Sequence, residues 1–121
     1  MSRLLYHAIY DVLRERLEQV SREGFTMEHD DQHENFELTE AAVCYANHAA
    51  SQGWKFERAP DEYRSHWPFP RDREVFGHGD VTWPKYWSWE WWKPKDPRRD
   101  LVRAAALIIA EIERIDRSMP Q

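Results

Sequence analysis

The chain has 121 residues, of which 41% are apolar, and a formal net charge of −5. That length fits a single domain, residues 1–121, whose core needs no disulfide, and the apolar share excludes a disordered chain. The acidic balance argues against general nucleic-acid binding, which requires a basic stripe. The single cysteine, Cys44, excludes an intrachain disulfide and suits a reducing cytoplasm.

The first expected element is an amphipathic helix over residues 3–22. Leu5, Ala8, Ile9, Val12, Leu13, Leu17 and Val20 recur at helical spacing, with Arg14, Glu15, Glu18 and Arg22 between them. Gly24 is its stop signal. The start, MSRLLYHAIYDVLRERL, does not read as a secretory leader, because His7, Asp11 and Arg14 interrupt its apolar residues. No run approaches the length of a membrane span.

An acidic connection follows, residues 25–36. Within it begins EHDDQHENFE, residues 28–37, with five carboxylates and two histidines in ten positions. His29, Asp30, Asp31 and His33 offer the mixed nitrogen and oxygen ligands that Zn²⁺ or Mn²⁺ accepts. The plainer reading is an acidic loop. Acids ahead of a helix N-terminus stabilise it without a metal, and Asp and Asn suit turns.

A second helix is expected over residues 36–51, with Leu38, Ala41, Ala42, Tyr45 and Ala49 as its apolar stripe. The small residues admit a close neighbour. Cys44, near that stripe, reads as an inert structural thiol. His7 and His48 read as helix-surface or helix-edge residues without a role.

Residues 54–96 change character. All seven tryptophans and five of the seven prolines fall here, so a long helix is excluded. Alternation in YWSWEWW suits a short strand or an extended run; if extended, Trp87, Trp89 and Trp91 share one face. The segment reads as an irregular insertion pinned to the helices by its aromatic rings.

The last helix is expected over residues 97–117. Asp96 and Pro97 supply its cap and first turn. Leu101, Ala105, Ile108, Ile112 and Ile115 follow a 4-3-4-3 spacing, broadened by Val102 and Ile109. The fold expected is mainly α: a bundle of three principal helices with a long Trp/Pro-rich insertion. Helices with such apolar stripes often complete a bundle by oligomerising, so a homo-oligomer is expected.

Two stretches carry a resemblance. RERLEQVSREGFTMEHDDQH, residues 14–33, with the ELTEAAVCYANHA helix behind it, resembles uncharacterised bacteriophage and prophage proteins of the form ERxRQ…EGWTxEHDDxH. WWKPKDPRRDLVRAAALIIAEIERIDR, residues 91–117, is similar to the closing segment of the same family. The framework is more distantly similar to MazG-like all-α nucleoside triphosphate pyrophosphohydrolases. Those enzymes hold Mg²⁺ on an EExxE helix and a later ExxD helix. Carried over by position, the resemblance implies metal ligands at Glu37, Glu40 and Asp100. Phe36 stands where the first Glu belongs, and Arg103 where the last acid belongs. The family also implies a setting in the host bacterial cytoplasm.

The residues leave the alternatives open. Glu37 and Glu40 share a helix face and could hold Mg²⁺ with Asp100, or could serve only the helix dipole. Arg98, Arg99 and Arg103, with Lys93 and Lys95, could clamp phosphate, or could pair with Asp30, Asp31 or Glu34 in an ionic clasp. Trp87, Trp89, Trp91 and Trp92 could stack a base or bind a partner, or lid a small core. A Gly-rich phosphate loop, a Ser-His-Asp order and paired-cysteine metal motifs are missing from the sequence. The leading functional expectation is a phage-encoded protein that binds a nucleotide-like phosphate ligand, with Mg²⁺ as the cofactor of any remaining pyrophosphohydrolase chemistry. The alternative is a non-enzymatic accessory or anti-defence protein that binds a host protein through an acidic, Trp-rich surface.

Overall fold

The computed structural model describes residues 2–22, 36–66, 83–84, 87 and 89–119. They form four helices and two 3₁₀ turns, with no strand among them.

Helix α1 runs Arg3–Arg22. The Ser2 hydroxyl caps it by accepting from the Leu5 amide at 3.0 Å. Helix α2 runs Glu37–Gln52 and passes into a 3₁₀ turn, Gly53–Lys55. Helix α3, Pro60–Ser65, opens with a proline and the acids Asp61 and Glu62. A second 3₁₀ turn, Trp89–Trp91, precedes helix α4, Pro97–Ser118. Asp96 caps α4 as expected, its carboxylate accepting from the Arg99 amide at 2.7 Å.

The long helix boundaries agree with the sequence to within a residue or so. Two local expectations do not hold. Residues 60–65 form a helix inside the expected irregular segment, because proline fits the first helical position and the acids that follow favour a helix N-terminus. Trp89–Trp91 is a tight turn rather than an extended run, so Trp87 is buried while Trp91 is half exposed.

Helix α4 is central, with α2 along one flank and α1 along another. Thr39 of α2 meets Glu111 of α4, and Tyr45 meets Arg103, so α2 and α4 are antiparallel. Asp11 of α1 meets Arg98, and Arg16 meets Glu113, so α1 and α4 are parallel. The α2–α4 interface is built on Ala41, Ala42, Ala104 and Ala110, with Leu38 and Leu107. Small side chains let the helices approach and leave volume beside them, which must be filled at native density. Trp83, Trp87 and Trp92 fill it. Trp83 stands edge-on to both Trp87 and Trp92, each at 5.6 Å between ring centres.

Helix α1 is oriented against its own amphipathicity. Among its described side chains, the buried ones are Glu15, Arg16 and Gln19. The stripe Leu5, Ala8, Ile9, Leu13, Leu17 and Val20 is exposed, and Val12 is half-buried. On α4 the 4-3-4-3 stripe also turns outward, with Leu101, Ile108 and Ile112 about half exposed. The core of the last helix lies instead along Ala104, Leu107 and Ala110.

Candidate functional site: a buried polar seam along the last helix

Helix α4 turns three groups of polar side chains inward. The first faces α1. The Glu15 carboxylate, 2% exposed, pairs with Arg99 at 2.6 Å and lies 3.6 Å from Arg103. Arg98 pairs with Asp11 at 2.9 Å, and Glu18 lies 3.8 Å from Arg99. Further along, Arg16 donates to Glu113 at 3.0 Å. Asp11, Glu15 and Glu18 share one helix face, which the spacing of Arg98, Arg99 and Arg103 matches.

The second group joins α4 to α2 and to the tryptophan segment. Tyr45 is its hub. The hydroxyl donates to the Trp91 carbonyl at 3.1 Å, and accepts from the Lys93 amide at 3.2 Å and the Arg103 guanidinium at 3.1 Å. Arg103 also donates to the Lys93 carbonyl at 3.1 Å. Burial pushes the Tyr45 phenol above its ordinary range, against the pull of Arg103.

One turn earlier, Asp100 is fully buried and accepts from the Tyr63 hydroxyl at 2.6 Å and the Lys95 amide at 3.0 Å. Burial raises the Asp100 carboxyl, while both donors and Arg103 pull it down. Tyr63 is raised by its own burial and by Asp100. His48 completes this cluster. It is fully buried, with Nε2 2.8 Å from the Tyr63 carbonyl. A carbonyl only accepts, so Nε2 carries the proton and donates. Burial lowers the His48 pKa to about 4, so the ring is neutral near pH 7. His48 is therefore a core residue, not the helix-edge residue its sequence position suggested.

The third group lies at the start of α2. Phe36 precedes that helix with a φ of 64° and offers no side-chain cap. The cap comes from α4 instead. One oxygen of the buried Glu111 accepts from the Thr39 amide at 3.1 Å and the Thr39 hydroxyl at 3.0 Å. Its other oxygen pairs with Arg114, whose guanidinium lies over the Phe36 ring.

The candidate residues now have places. Glu37 and Glu40 sit in the first turn of α2. Tyr45 is level with Arg103, so Asp100 is level with about residue 48 of α2. Glu40 is then about 12 Å, and Glu37 about 16 Å, from Asp100 along the bundle axis. The fold does not gather the three, and no group of three or more His, Cys, Asp or Glu is arranged for a metal among the described residues. His29, Asp30, Asp31 and His33 lie outside the described residues. Arg98, Arg99 and Arg103 do come together, against α1 acids; an anion reaching Arg99 or Arg103 would have to displace the Glu15 carboxylate. That ionic clasp was expected with Asp30, Asp31 or Glu34, which also lie outside the described residues. Trp87 and Trp92 are core residues, and Trp91 is half exposed. The side chain of Trp89 is outside the described set.

Glu15, Arg16, Gln19, Tyr63, Glu111 and Arg114 were not singled out from the sequence. A readable signal existed for two of these contacts. Asp11, Glu15 and Glu18 repeat at spacings of four and three, matching the basic face of α4. Ala59-Pro60-Asp61-Glu62 is a helix start, and it carries Tyr63. No protein-family model, curated protein or solved structure matches the chain.

Proposed function

We propose that this chain is a non-enzymatic protein-assembly module that docks another polypeptide on the outward face of α1 and α4. The observation that carries the reading is the exposed aliphatic face: Ile9, Leu13 and Leu17 on α1, and Leu101, Ile108 and Ile112 on α4, are all about half exposed. Exposed large aliphatic side chains in this number on two helices mark surface kept for interaction. The surface is aliphatic, in place of the Trp-rich one expected, because two of the candidate tryptophans are spent on the core. The buried seam supports the same reading. Its charges are matched within the chain, so they hold three helices in register rather than wait for a ligand.

Two measurements test this. A photo-crosslinking residue at Leu13 or Ile108, in cells expressing the full chain, should yield a protein–protein adduct, and none should form from exposed Arg58. Absence of any adduct from either face position overturns the reading. Incubation with a nucleoside triphosphate panel and Mg²⁺ or Mn²⁺ should give no pyrophosphate. Turnover would instead support the MazG-like pyrophosphohydrolase expectation, which rests on the resemblance.

A further inference from the structure

The aromatic rings of the core are joined end to end, and the line they form has a surface end and a buried end. We propose that this line is a one-electron relay, which carries an oxidising equivalent inward from exposed Trp91 and rests it on Tyr63, with Asp100 holding the phenolic proton. This role goes beyond the assembly reading and does not depend on it.

Each step is a ring contact. Trp91, 47% exposed, stands 5.6 Å from Trp87 between ring centres. Trp87 stands 5.6 Å from Trp83, and Trp83 stands 5.6 Å from Trp92. The His48 ring spans the last gap, 5.2 Å from Trp92 and 4.3 Å from Tyr63. Aromatic pairs at these distances are favourable packing in their own right. Electron tunnelling weakens exponentially with distance, so the same contacts make every hop short. Indole and phenol are also the aromatic side chains that give up an electron most readily.

Two tyrosines border the route, and their surroundings are opposite. Tyr45 is the nearer, 4.6 Å from Trp92. Its hydroxyl donates to the Trp91 carbonyl, a poor base, and accepts from Arg103. That guanidinium also lies 5.2 Å from the Tyr45 ring centre, and a positive charge there opposes loss of an electron. Tyr63 donates instead to the Asp100 carboxylate at 2.6 Å, the length of a charge-assisted bond. A phenol is oxidised readily when its proton leaves with the electron, and a base already in hydrogen-bond contact takes that proton directly. Both residues are fully buried, so the proton stays between them.

The step balances. A one-electron oxidant at the surface takes one electron from Trp91. Electrons then move outward along the line, from Trp87, Trp83 and Trp92 in turn, and the last is drawn from Tyr63. The Tyr63 O–H bond breaks and its proton forms an O–H bond on Oδ2 of Asp100. The protein has lost one electron and no proton, and Tyr63 is a neutral phenoxyl radical. A one-electron reductant such as a thiolate returns the electron, and the proton goes back to Tyr63.

Photo-oxidised ruthenium tris-bipyridine, a diffusible one-electron oxidant, tests this on the full chain. Tyr6→Phe, Tyr10→Phe, Tyr86→Phe and Trp54→Phe together give the reference protein, without exposed Tyr6, Tyr10 and Trp54 as direct targets. EPR of freeze-quenched samples should show a tryptophanyl radical that decays into a tyrosyl radical, and the conversion should slow in D₂O. Tyr63→Phe should abolish the tyrosyl signal with helicity kept, and Trp91→Phe should delay its appearance severalfold. Asp100→Asn, which leaves no carboxylate to take the proton, should slow the conversion by about a hundredfold. Adding Tyr45→Phe to the reference leaves Tyr63 as the last of five tyrosines, and the tyrosyl signal should persist there, which assigns it without altering Tyr63. A hole that stays on tryptophan in the reference protein overturns the relay. So does a tyrosyl signal lost with Tyr45→Phe, a delay unchanged in Trp91→Phe, or a conversion rate that is the same in D₂O.

Discussion

Arg103 donates to the hydroxyl of Tyr45 at 3.1 Å across the α2–α4 interface. That phenol also bonds Trp91 and Lys93, so one oxygen ties two helices to the tryptophan segment. Removing it takes a partner from the Trp91 carbonyl and the Lys93 amide at once, and one of several from Arg103. Leaving buried polar groups unmet costs about 1–3 kcal/mol each, although Arg103 keeps Lys93 and Glu15. Tyr45→Phe should therefore lower unfolding free energy by about 2–3 kcal/mol in urea, with little change in the slope. A loss under about 0.5 kcal/mol, the scatter of surface substitutions, would remove Tyr45 from the centre of this network.

Glu111 acts as the cap that α2 lacks in its own sequence. Glu111→Ala would leave the Thr39 amide without that acceptor and the Arg114 charge without its mate. Breaking one side of a buried ion pair costs about 3–5 kcal/mol. Amide exchange at Thr39 and its neighbours should rise more than exchange in the middle of α4. Uniform exchange across both helices would show that the capping role is wrong.

His48 sets a pH dependence. Its folded pKa of about 4 lies below the ordinary 6.5, so the fold favours the neutral ring. Below 6.5 the unfolded chain takes up a proton that the folded chain refuses, and stability falls as pH drops from 6.5 to 4. The difference amounts to about 3 kcal/mol over that window. Asp100, raised by burial, acts in the opposite sense, stabilising at pH below its unfolded value and losing that as pH rises through its folded value. In urea titrations at pH 7 and pH 4.5, His48→Gln should show a smaller drop than the wild type. Parallel pH profiles for the two proteins would contradict this.

Ala110 is fully buried between helices that approach on small residues. Ala110→Leu adds volume to the closely packed core cluster that also holds Trp83, Trp87 and Trp92. It should cost about 1–3 kcal/mol and raise acrylamide quenching of the tryptophan emission as the rings are displaced. Unchanged quenching and stability would mean that the interface has slack.

The sequence determined what is local. Helix extents follow from periodicity, Asp96 and Pro97 set the start of α4, and proline placement excluded a long helix between residues 54 and 96. These depend on residues within a few positions of one another. It could also have yielded α3, whose start is written in Ala59-Pro60-Asp61-Glu62. Tertiary structure alone decided which face of each helix turns inward. Periodicity says that α1 has an apolar side, but not what lies next to it. Arg99 and Arg103, more than eighty positions away, draw Glu15 inward by charge and turn the leucines out. Distance in the fold also separates Glu40 from Asp100 by about 12 Å, because antiparallel packing sets Tyr45 level with Arg103. A motif read along the chain carries no information about that register.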